Sequence, residues 1–363
     1  MKLSEKKYKR IVIKIGSSLL YAHKRRLDLD FIKGLVEEVS SLVKEGKEVV
    51  LVSSGAIACG MSRLGMESRP RQLSFLQAAA ALGQPELMHA YQKFFQEKSL
   101  TCAQILLTWE DFDDRARYLN AKNTLSTLLE LGSVPVINEN DSVSTDEIKF
   151  GDNDRLSALV ASLLGADLLV MLSDVEGLLM KDKKTPVRVV SQITAEIKAL
   201  ACPTKGKTCV GGMITKLEAA RIAADSGIPC VIADGREKGT VLSLVKSPDS
   251  RGTLFIPQKG YLTAKERWIA FSAKPKGKII VDNGAKVALS NGKSLLSVGI
   301  ISLEGHFEEG DVVLIADKEG NGFARGRTGL SSRQLEKVKG VRYEKEAIHR
   351  DNLVFIRDCP RQS

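Results

Sequence analysis

The first 260 residues alternate between short apolar runs and amphipathic runs, and this alternation constrains the fold more than any other sequence feature. After Arg10, the run RIVIKIG is apolar apart from one lysine, and EVVLVSSGA contains a second apolar run after one amphipathic segment. Asp30 can cap a helix in that segment, and Gly46 can end it. This β-α-β unit predicts a parallel sheet with helices on both faces. The helical apolar positions are Ile32, Leu35, Val36, Val39, Leu42 and Val43.

The same alternation continues to about residue 260 and then changes. It predicts one α/β domain with an open, mostly parallel sheet sandwiched by helices. From Gly277 onward the runs KIIVD, AKVAL, SVGII, DVVLIA and GFARG are short and strand-like, which predicts a small β-rich domain. We therefore expect domains over 1–257 and 277–363, joined by a linker over 258–276. The further predicted helices are 73–98, 115–131, 155–165 and 215–227, and the further strands are 101–106, 134–137, 167–173 and 228–234.

The composition narrows the class of protein. With 43% apolar and 27% charged residues, the chain resembles soluble globular proteins. No stretch approaches the ~18–20 apolar residues of a membrane span, and Lys14 interrupts the N-terminal apolar run, so neither an anchor nor a secretory signal is expected. The six cysteines form no C-x-x-C pair, which favours reduced thiols in the cytoplasm over zinc ligands or disulfides.

Two polar clusters follow the first two predicted strands, at the edge where open parallel sheets bind ligands. KIGSS begins with Lys14, which either meets a phosphate or is an edge lysine whose head reaches water. In VSSGAIACG, Ser54 and Gly55 form a turn whose N–H groups can hold an anion or a carboxylate. The alternative is an ordinary helix cap at Ser54, which this cluster on its own favours.

The third cluster, VINENDSVSTDEIKFGDNDRLSALVA, places many carboxylates and carboxamides between two apolar elements. Asn138 and Asn153 offer donors and acceptors for a zwitterionic substrate, Asp141 can take an ammonium, and Asp154 can steer a lysine. The segment SVSTDEIKFG between them can act as a lid. A solvated acidic loop is the alternative, but the position between two buried elements favours a functional site.

The fourth cluster is divided between MLSDVEG, which carries Ser173 and Asp174, and VGGMITK. Backbone N–H groups at a glycine-rich helix start hold phosphates, and Lys216 one turn later can reach a transferring group. Two lysines, glycine-rich turns and carboxylates together favour phosphoryl transfer, which requires mainly positioning and charge neutralisation. Neither a P-loop nor a G-x-G-x-x-G motif is present, so another kinase fold is needed.

In this order, the motifs KIGSS, VSSGAIACG, INENDSVS, FGDNDRLSALVA, LSDVEGL and GGMITKLEAA resemble those of the amino acid kinase family. The segments VDNGAKVAL, GKSLLSVGI, GHFEEGDVV, FARGRTGLSS and EAIHRDNLV resemble a PUA domain. The resemblance covers nearly the whole chain and is closest to the members that phosphorylate L-glutamate. It implies transfer from ATP, with Mg²⁺ carried by the nucleotide, to give L-glutamyl 5-phosphate in the first step of proline biosynthesis.

The resemblance also implies a role for individual residues. Lys14 and Lys216 would neutralise the transferring phosphoryl group, and Asp154 would hold the two lysines. No residue would ligate a metal directly. Glutamate would be bound by Ser54, Gly55, Asn138, Asp141 and Asn153, and ATP by Lys14, Ser173, Asp174, Val210, Gly211, Gly212, Met213, Ile214, Thr215 and Lys216.

The same resemblance implies a homo-oligomer, feedback inhibition by proline, and a hand-off of the product to glutamyl phosphate reductase. Two alternatives remain open. The chain could be a kinase of another small acid, such as acetylglutamate, aspartate or carbamate. It could also be an RNA-binding protein, since PUA domains occur in RNA-modifying proteins and the tail is the more basic part of a chain with net charge +10. The low aromatic content of 5% argues against a base-stacking surface.

Overall fold

The structure, a computed structural model of the chain, describes residues 8–21, 26–143, 153–182, 184–201, 212–257 and 262–356. These residues divide into two compact units. The first unit contains the described residues of 1–111 and 115–261, and the second contains those of 112–114 and 262–363. The domain and linker boundaries expected from the sequence stay a prediction.

Among the described residues, eight strands form the sheet of the first unit. The strands are β1 (Arg10–Ile15), β2 (Glu48–Val52), β3 (Cys102–Leu107), β4 (Val134–Glu139), β5 (Leu168–Ser173), β6 (Val189–Val190), β7 (Cys230–Asp234) and β8 (Thr253–Phe255). Their order is β3-β4-β2-β1-β5-β7-β8-β6. Neighbouring strands are parallel except β7 and β8, which are antiparallel. The predicted mostly parallel α/β sheet is therefore confirmed.

Helices cover both faces of this sheet. The α-helices that the structure describes in the two units are α1 (Leu29–Lys44), α2 (Ala56–Arg63), α3 (Leu73–Glu97), α4 (Trp109–Asp113), α5 (Arg115–Glu130), α6 (Asn153–Leu164), α7 (Ala195–Leu200), α8 (Gly212–Asp225), α9 (Thr240–Lys246), α10 (Ala264–Arg267), α11 (Asn283–Ser290) and α12 (Ser332–Val338). Apolar side chains of α1, α3 and α9 form one core with β1, β2 and β5. Helix α6 packs on β1, β5 and α8. No helix in the described parts of the chain is both long and apolar enough to span a bilayer.

The start of α1 differs from the prediction by two residues. Asp28, rather than Asp30, is the N-cap, because its carboxylate accepts a hydrogen bond from the Phe31 N–H at 2.9 Å. Asp30 instead lies in the first turn, where its negative charge still complements the helix dipole. The predicted apolar face is confirmed, since Ile32, Val36 and Val39 are fully buried.

The second unit contains five strands among its described residues: β9 (Gly277–Val281), β10 (Ile300–Gly305), β11 (Val312–Ala316), β12 (Gly322–Arg327) and β13 (Leu353–Phe355). They form one sheet in the order β10-β9-β11-β12-β13. The predicted strand AKVAL is wrong, because this segment lies in α11. Asp282 caps that helix by accepting a hydrogen bond from Ala285 N–H at 2.7 Å. The alternation of small and apolar residues resembled a strand, but Val287 is 61% exposed.

Candidate active site

Lys14 lies on β1 at the carboxyl edge of the large sheet. Ile13 and Ile15, on either side of it, point into the core formed with α1 and α3, so the alternation of the strand directs Lys14 to the α6 face. The lysine is only 5% exposed, and its Nζ lies 2.5 Å from Asp154 Oδ1. The alternative of an edge lysine that reaches water is therefore wrong.

Asp154 connects two lysines from different elements. It lies in the first turn of α6, and its second carboxylate oxygen, Oδ2, is 2.9 Å from Lys216 Nζ. Burial alone would raise the pKa of Asp154, but Lys14 and Lys216 outweigh that effect and the pKa is lowered. The carboxylate therefore stays ionised at neutral pH and fixes both ammonium groups. Lys14, Asp154 and Lys216 form the lysine–carboxylate cluster.

Lys216 is held from its own helix as well. Helix α8 begins at Gly212, whose carbonyl oxygen accepts from Lys216 Nζ at 3.3 Å and from Thr215 Oγ1 at 3.2 Å. Thr215 Oγ1 also lies 3.0 Å from Asp154 Oδ2, so the first turn of α8 is joined to the first turn of α6. Met213 and Ile214 are half-buried in that same turn. Val210 and Gly211, the other predicted loop residues, lie outside the described residues.

Asn153, the residue before Asp154, lies within a second group of contacts. Its Nδ2 is within hydrogen-bond distance of the Ser53 carbonyl oxygen at 2.8 Å, Ser54 Oγ at 3.0 Å and Asn138 Oδ1 at 2.9 Å. Asn138 is at the end of β4 and is 1% exposed. Three predicted substrate residues, Asn153, Asn138 and Ser54, thus lie in contact although they are far apart in the sequence.

Gly55 sets the direction of the turn that carries Ser54. Its φ of +98° is in the left-handed region, and a Cβ there would lie 2.8 Å from the Tyr21 ring. Gly55, and not Ser54, is the N-cap of α2, so the alternative of a cap at Ser54 is wrong. Asn153 Nδ2 next to the Ser54 hydroxyl can only donate, so the hydroxyl proton points elsewhere and can be donated to a ligand.

Asp141 follows β4 by two residues at the same edge. Burial, and next the negative charge of Glu139, raise the pKa of Asp141 to about 7, while the Arg69 guanidinium acts in the opposite direction. The protein compensates the charge of a carboxylate in this environment only in part. A bound ammonium would complete that compensation.

Ser173 and Asp174 lie at the end of β5, next to the strand that carries Lys14. Lys14 is in register with Met171, and Gly16 N–H donates to the Leu172 carbonyl at 2.9 Å, so the two strands end at one edge. Ser173 is 3% exposed, whereas Asp174 is exposed. The Asp174 carbonyl oxygen accepts from the Arg236 guanidinium at 2.9 Å.

The sequence reasoning missed Gln84 of α3, which is buried beside the site. Asn138 Nδ2 donates to Gln84 Oε1 at 2.8 Å, and Gln84 Nε2 donates to Gln104 Oε1 at 3.2 Å. A signal was present in the sequence. Helical spacing places Gln84 on the same face as Ala80, Leu87 and Tyr91, so a carboxamide interrupts an otherwise apolar stripe.

Comparisons with known proteins agree with this geometry. The family model described as "Amino acid kinase family" matches residues 9–234, and the model described as "PUA domain" matches residues 277–349. The chain therefore belongs to the amino acid kinase family and, within it, groups with the glutamate 5-kinases.

Relatives from several bacteria carry that second name. Glutamate 5-kinase of Caldanaerobacter subterraneus subsp. tengcongensis is 44% identical, over 96% of this chain and 98% of its own length. Glutamate 5-kinase of Syntrophotalea carbinolica is 46% identical, over 95% of this chain and 97% of its own length. Glutamate 5-kinase of Thioalkalivibrio sulfidiphilus is 47% identical, over 96% of this chain and 98% of its own length. The alternatives of a kinase for another acid or of an RNA-binding protein are not favoured by these relatives.

Proposed function

We propose that this protein transfers the γ-phosphoryl group of ATP to the side-chain carboxylate of L-glutamate. The products are ADP and L-glutamyl 5-phosphate, and the reaction is the first step of proline biosynthesis. The single observation that carries the proposal is the lysine–carboxylate cluster, in which one buried aspartate holds two ammonium groups from β1 and α8. The identity of the substrate is inferred from the name that the relatives carry, glutamate 5-kinase.

The reaction needs charge neutralisation more than proton transfer. A glutamate carboxylate oxygen forms the new O–P bond, the bond from the γ-phosphorus to the bridging oxygen breaks, and that electron pair stays on ADP. The nucleophile is already ionised at neutral pH, so it needs no general base. Lys14 and Lys216 stabilise the charge on the transferring phosphoryl oxygens, and Asp154 keeps both lysines in place.

The groups around Asn153 suit the amino acid. Ser54 Oγ and the backbone at Gly55 offer donors to a carboxylate, while Asp141 and Asn153 Oδ1 offer acceptors to an ammonium, and Asn138 holds Asn153 in place. The raised pKa of Asp141, about 7, fits a role in which the bound ammonium completes its environment. Because Asn153 and Asp154 are consecutive, Ser54 and Asn138, which contact Asn153, lie beside the lysine–carboxylate cluster.

The groups around β5 and α8 suit the nucleotide. Ser173 and Asp174 would contact ATP from the end of β5, and the segment Val210 to Lys216 would contact its phosphates. Backbone N–H groups at the start of α8 favour such an anion. The described residues include no group of three or more His, Cys, Asp or Glu side chains placed to hold a metal ion. As the family resemblance implies, Mg²⁺ would be carried by the ATP phosphates and would supply further neutralisation of charge there.

The proposal extends to the localisation, assembly and regulation of the protein. The family resemblance supports a cytoplasmic homo-oligomer that is inhibited by proline. The acyl phosphate product reacts readily with water, which favours its prompt use by glutamyl phosphate reductase. The second unit contains the segment matched as a PUA domain.

The test is ATP- and Mg²⁺-dependent formation of γ-glutamyl hydroxamate in the presence of hydroxylamine, with glutamate, aspartate and acetylglutamate compared. We expect product from glutamate alone, abolished in Lys14→Ala and in Lys216→Ala. Lys33→Ala is the matched control, because Lys33 is an exposed residue of α1. Product from another acid would retain the mechanism and change the substrate, whereas activity in Lys14→Ala would overturn the role of the cluster.

A further inference from the structure

Four carboxamides form a continuous hydrogen-bonded chain that leads from the site into α3 and β3. Asn153 donates to Asn138, Asn138 donates to Gln84, and Gln84 donates to Gln104, at 2.9, 2.8 and 3.2 Å. We call these residues the carboxamide chain. All three bonds run in the same direction, with the nitrogen of each amide on the oxygen of the next.

Backbone groups fix that direction. The Glu139 N–H, which can only donate, lies 2.9 Å from Asn138 Oδ1, so the Asn138 oxygen must face it. The Ser53 carbonyl, which can only accept, lies 2.8 Å from Asn153 Nδ2, so the Asn153 nitrogen must face that side. With its oxygen held in this way, Asn138 directs its nitrogen at Gln84, whose Oε1 must then face Asn138.

The fixed direction leaves one acceptor open. Asn153 is 7% exposed, and its Oδ1 is buried without a hydrogen-bond partner among the described residues. A buried acceptor without a donor costs free energy until a ligand supplies the donor. A ligand with an N–H group, and above all an ammonium, satisfies it.

We propose that Gln84 is a positioning residue for the amino acid substrate. By accepting from Asn138 Nδ2, it anchors Asn138 in the orientation that the backbone selects, and Asn138 Oδ1 in turn holds Asn153 with its Oδ1 available to the α-ammonium group of the substrate. This inference rests on the proposed function. Gln84 lies outside the set of site residues expected from the sequence, and through Asn138 and Asn153 it favours the binding of a positively charged group.

Close helix packing explains how Gln84 reaches β4. A Cβ on Gly83 would lie 2.0 Å from the Ala56 carbonyl oxygen, and a Cβ on Gly60 would lie 1.8 Å from that of Ala79. Only glycine at these two positions lets α2 and α3 approach so closely. The approach brings the neighbouring Gln84 against Asn138 at the carboxyl edge of the sheet.

The experiment compares two substitutions that separate positioning from packing. Gln84→Glu keeps an acceptor for Asn138 Nδ2, and the exposed Gln104 can turn its own nitrogen towards the new carboxylate. Gln84→Met keeps the size and helix propensity but removes the acceptor. Positioning therefore predicts that the methionine variant is the worse one. A packing role predicts the reverse, since a buried carboxylate costs more than a buried thioether.

We expect Gln84→Met to raise the KM for glutamate about tenfold, with the KM for ATP within about twofold, because one buried donor loses its partner. Gln84→Glu should stay within about threefold of the wild type, and Gln92→Met, an exposed glutamine of the same helix, should be unchanged. An equal KM for glutamate in Gln84→Met and the wild type, or a larger defect in Gln84→Glu, would overturn the positioning role alone. A wild-type protein without glutamate-dependent turnover would overturn the proposed function as well.

Discussion

Asn153 and Asp154 are consecutive residues at the start of α6, yet they belong to two groups of opposite character. Both oxygens of Asp154 lie within ion-pair distance of a lysine Nζ, so this carboxylate is compensated without any ligand, and the lysine–carboxylate cluster forms the complete half of the site. The nitrogen of Asn153 is engaged, whereas its oxygen has no hydrogen-bond partner within the described parts of the chain, so the carboxamide chain forms the incomplete half of the site. The difference suggests that one half of the site is built to stay rigid and the other to be completed by the substrate.

The largest expected effect comes from breaking the complete half. In Asp154→Asn one lysine must face an amide nitrogen instead of a carboxylate oxygen, so both ammonium groups lose their fixed positions. We expect kcat to fall about 10³-fold, the scale on which preorganised charge stabilises a transition state. Steady-state kinetics with saturating glutamate and ATP measures it.

Asp167→Asn is the control for loss of stability alone. Asp167 Oδ2 accepts from the backbone N–H groups of Lys9 and Arg10, both at 2.9 Å, at the opposite edge of the sheet. This variant should unfold more easily by about 1 kcal/mol while its kcat stays within about twofold. A kcat near that of the wild type in Asp154→Asn would show that the lysines do not depend on this carboxylate.

A smaller effect is expected from a substitution in the incomplete half of the site. Asn153→Asp has the same shape but replaces the donor nitrogen by a carboxylate oxygen that faces the Ser53 carbonyl and Asn138 Oδ1. These two oxygens repel the new carboxylate at the start of α6. We therefore expect the KM for glutamate to rise about 30-fold, with a smaller change in the KM for ATP. Asn120→Asp, on the exposed surface of α5, adds the same charge without these neighbours. Equal changes in the two KM values would remove the distinction between the two halves.

The KM for glutamate should depend on pH through Asp141. The pKa of Asp141 is raised to about 7 by burial and by Glu139, so this side chain is mostly protonated at pH 6 and mostly ionised at pH 8. Only the ionised form attracts an ammonium, and we expect the KM for glutamate to fall about tenfold between these two values. Asp141→Asn should have a higher KM that does not vary with pH over this range. A profile that keeps its slope in Asp141→Asn would assign the titration to another group.

The same raised pKa has the opposite sign for stability. The folded protein holds the Asp141 proton up to about pH 7, whereas the unfolded chain releases it near the ordinary carboxyl value of about 4. Asp141 therefore lowers the free energy of unfolding as pH rises through this interval. Asp141→Asn should remove that loss, so substrate affinity and stability change in opposite directions at this residue.

The complete half was easier to predict from the sequence than the incomplete half. A lysine in an apolar strand and an aspartate before an apolar helix each depart from the surrounding pattern. Their positions in the sequence, with that of Lys216 at a glycine-rich helix start, predicted that all three side chains lie at the carboxyl edge of the sheet. Gln84 was missed because its neighbours along the chain are ordinary helix residues. Its partner Asn138 is 54 residues away, and only the glycine contacts of α2 and α3 bring them together. The helix start at Asp28 and the helix at AKVAL were missed because local capping outweighed the apolar pattern.

The smallest expected effect lies behind the carboxamide chain, at a hydrogen bond that is already complete. The hydroxyl groups of Tyr91 and Ser53 are 3.1 Å apart, and both residues are fully buried. Ser53 is also held by its backbone, since its N–H donates to Ile137 O at 2.8 Å. Tyr91→Phe should therefore cost about 1 kcal/mol in urea unfolding and leave both KM values within about twofold. Ser53→Ala should cost about the same, and the double variant should cost less than the sum, because neither hydroxyl is left unpaired. A large rise in the KM for glutamate in Tyr91→Phe would extend the substrate-dependent half of the site to this pair.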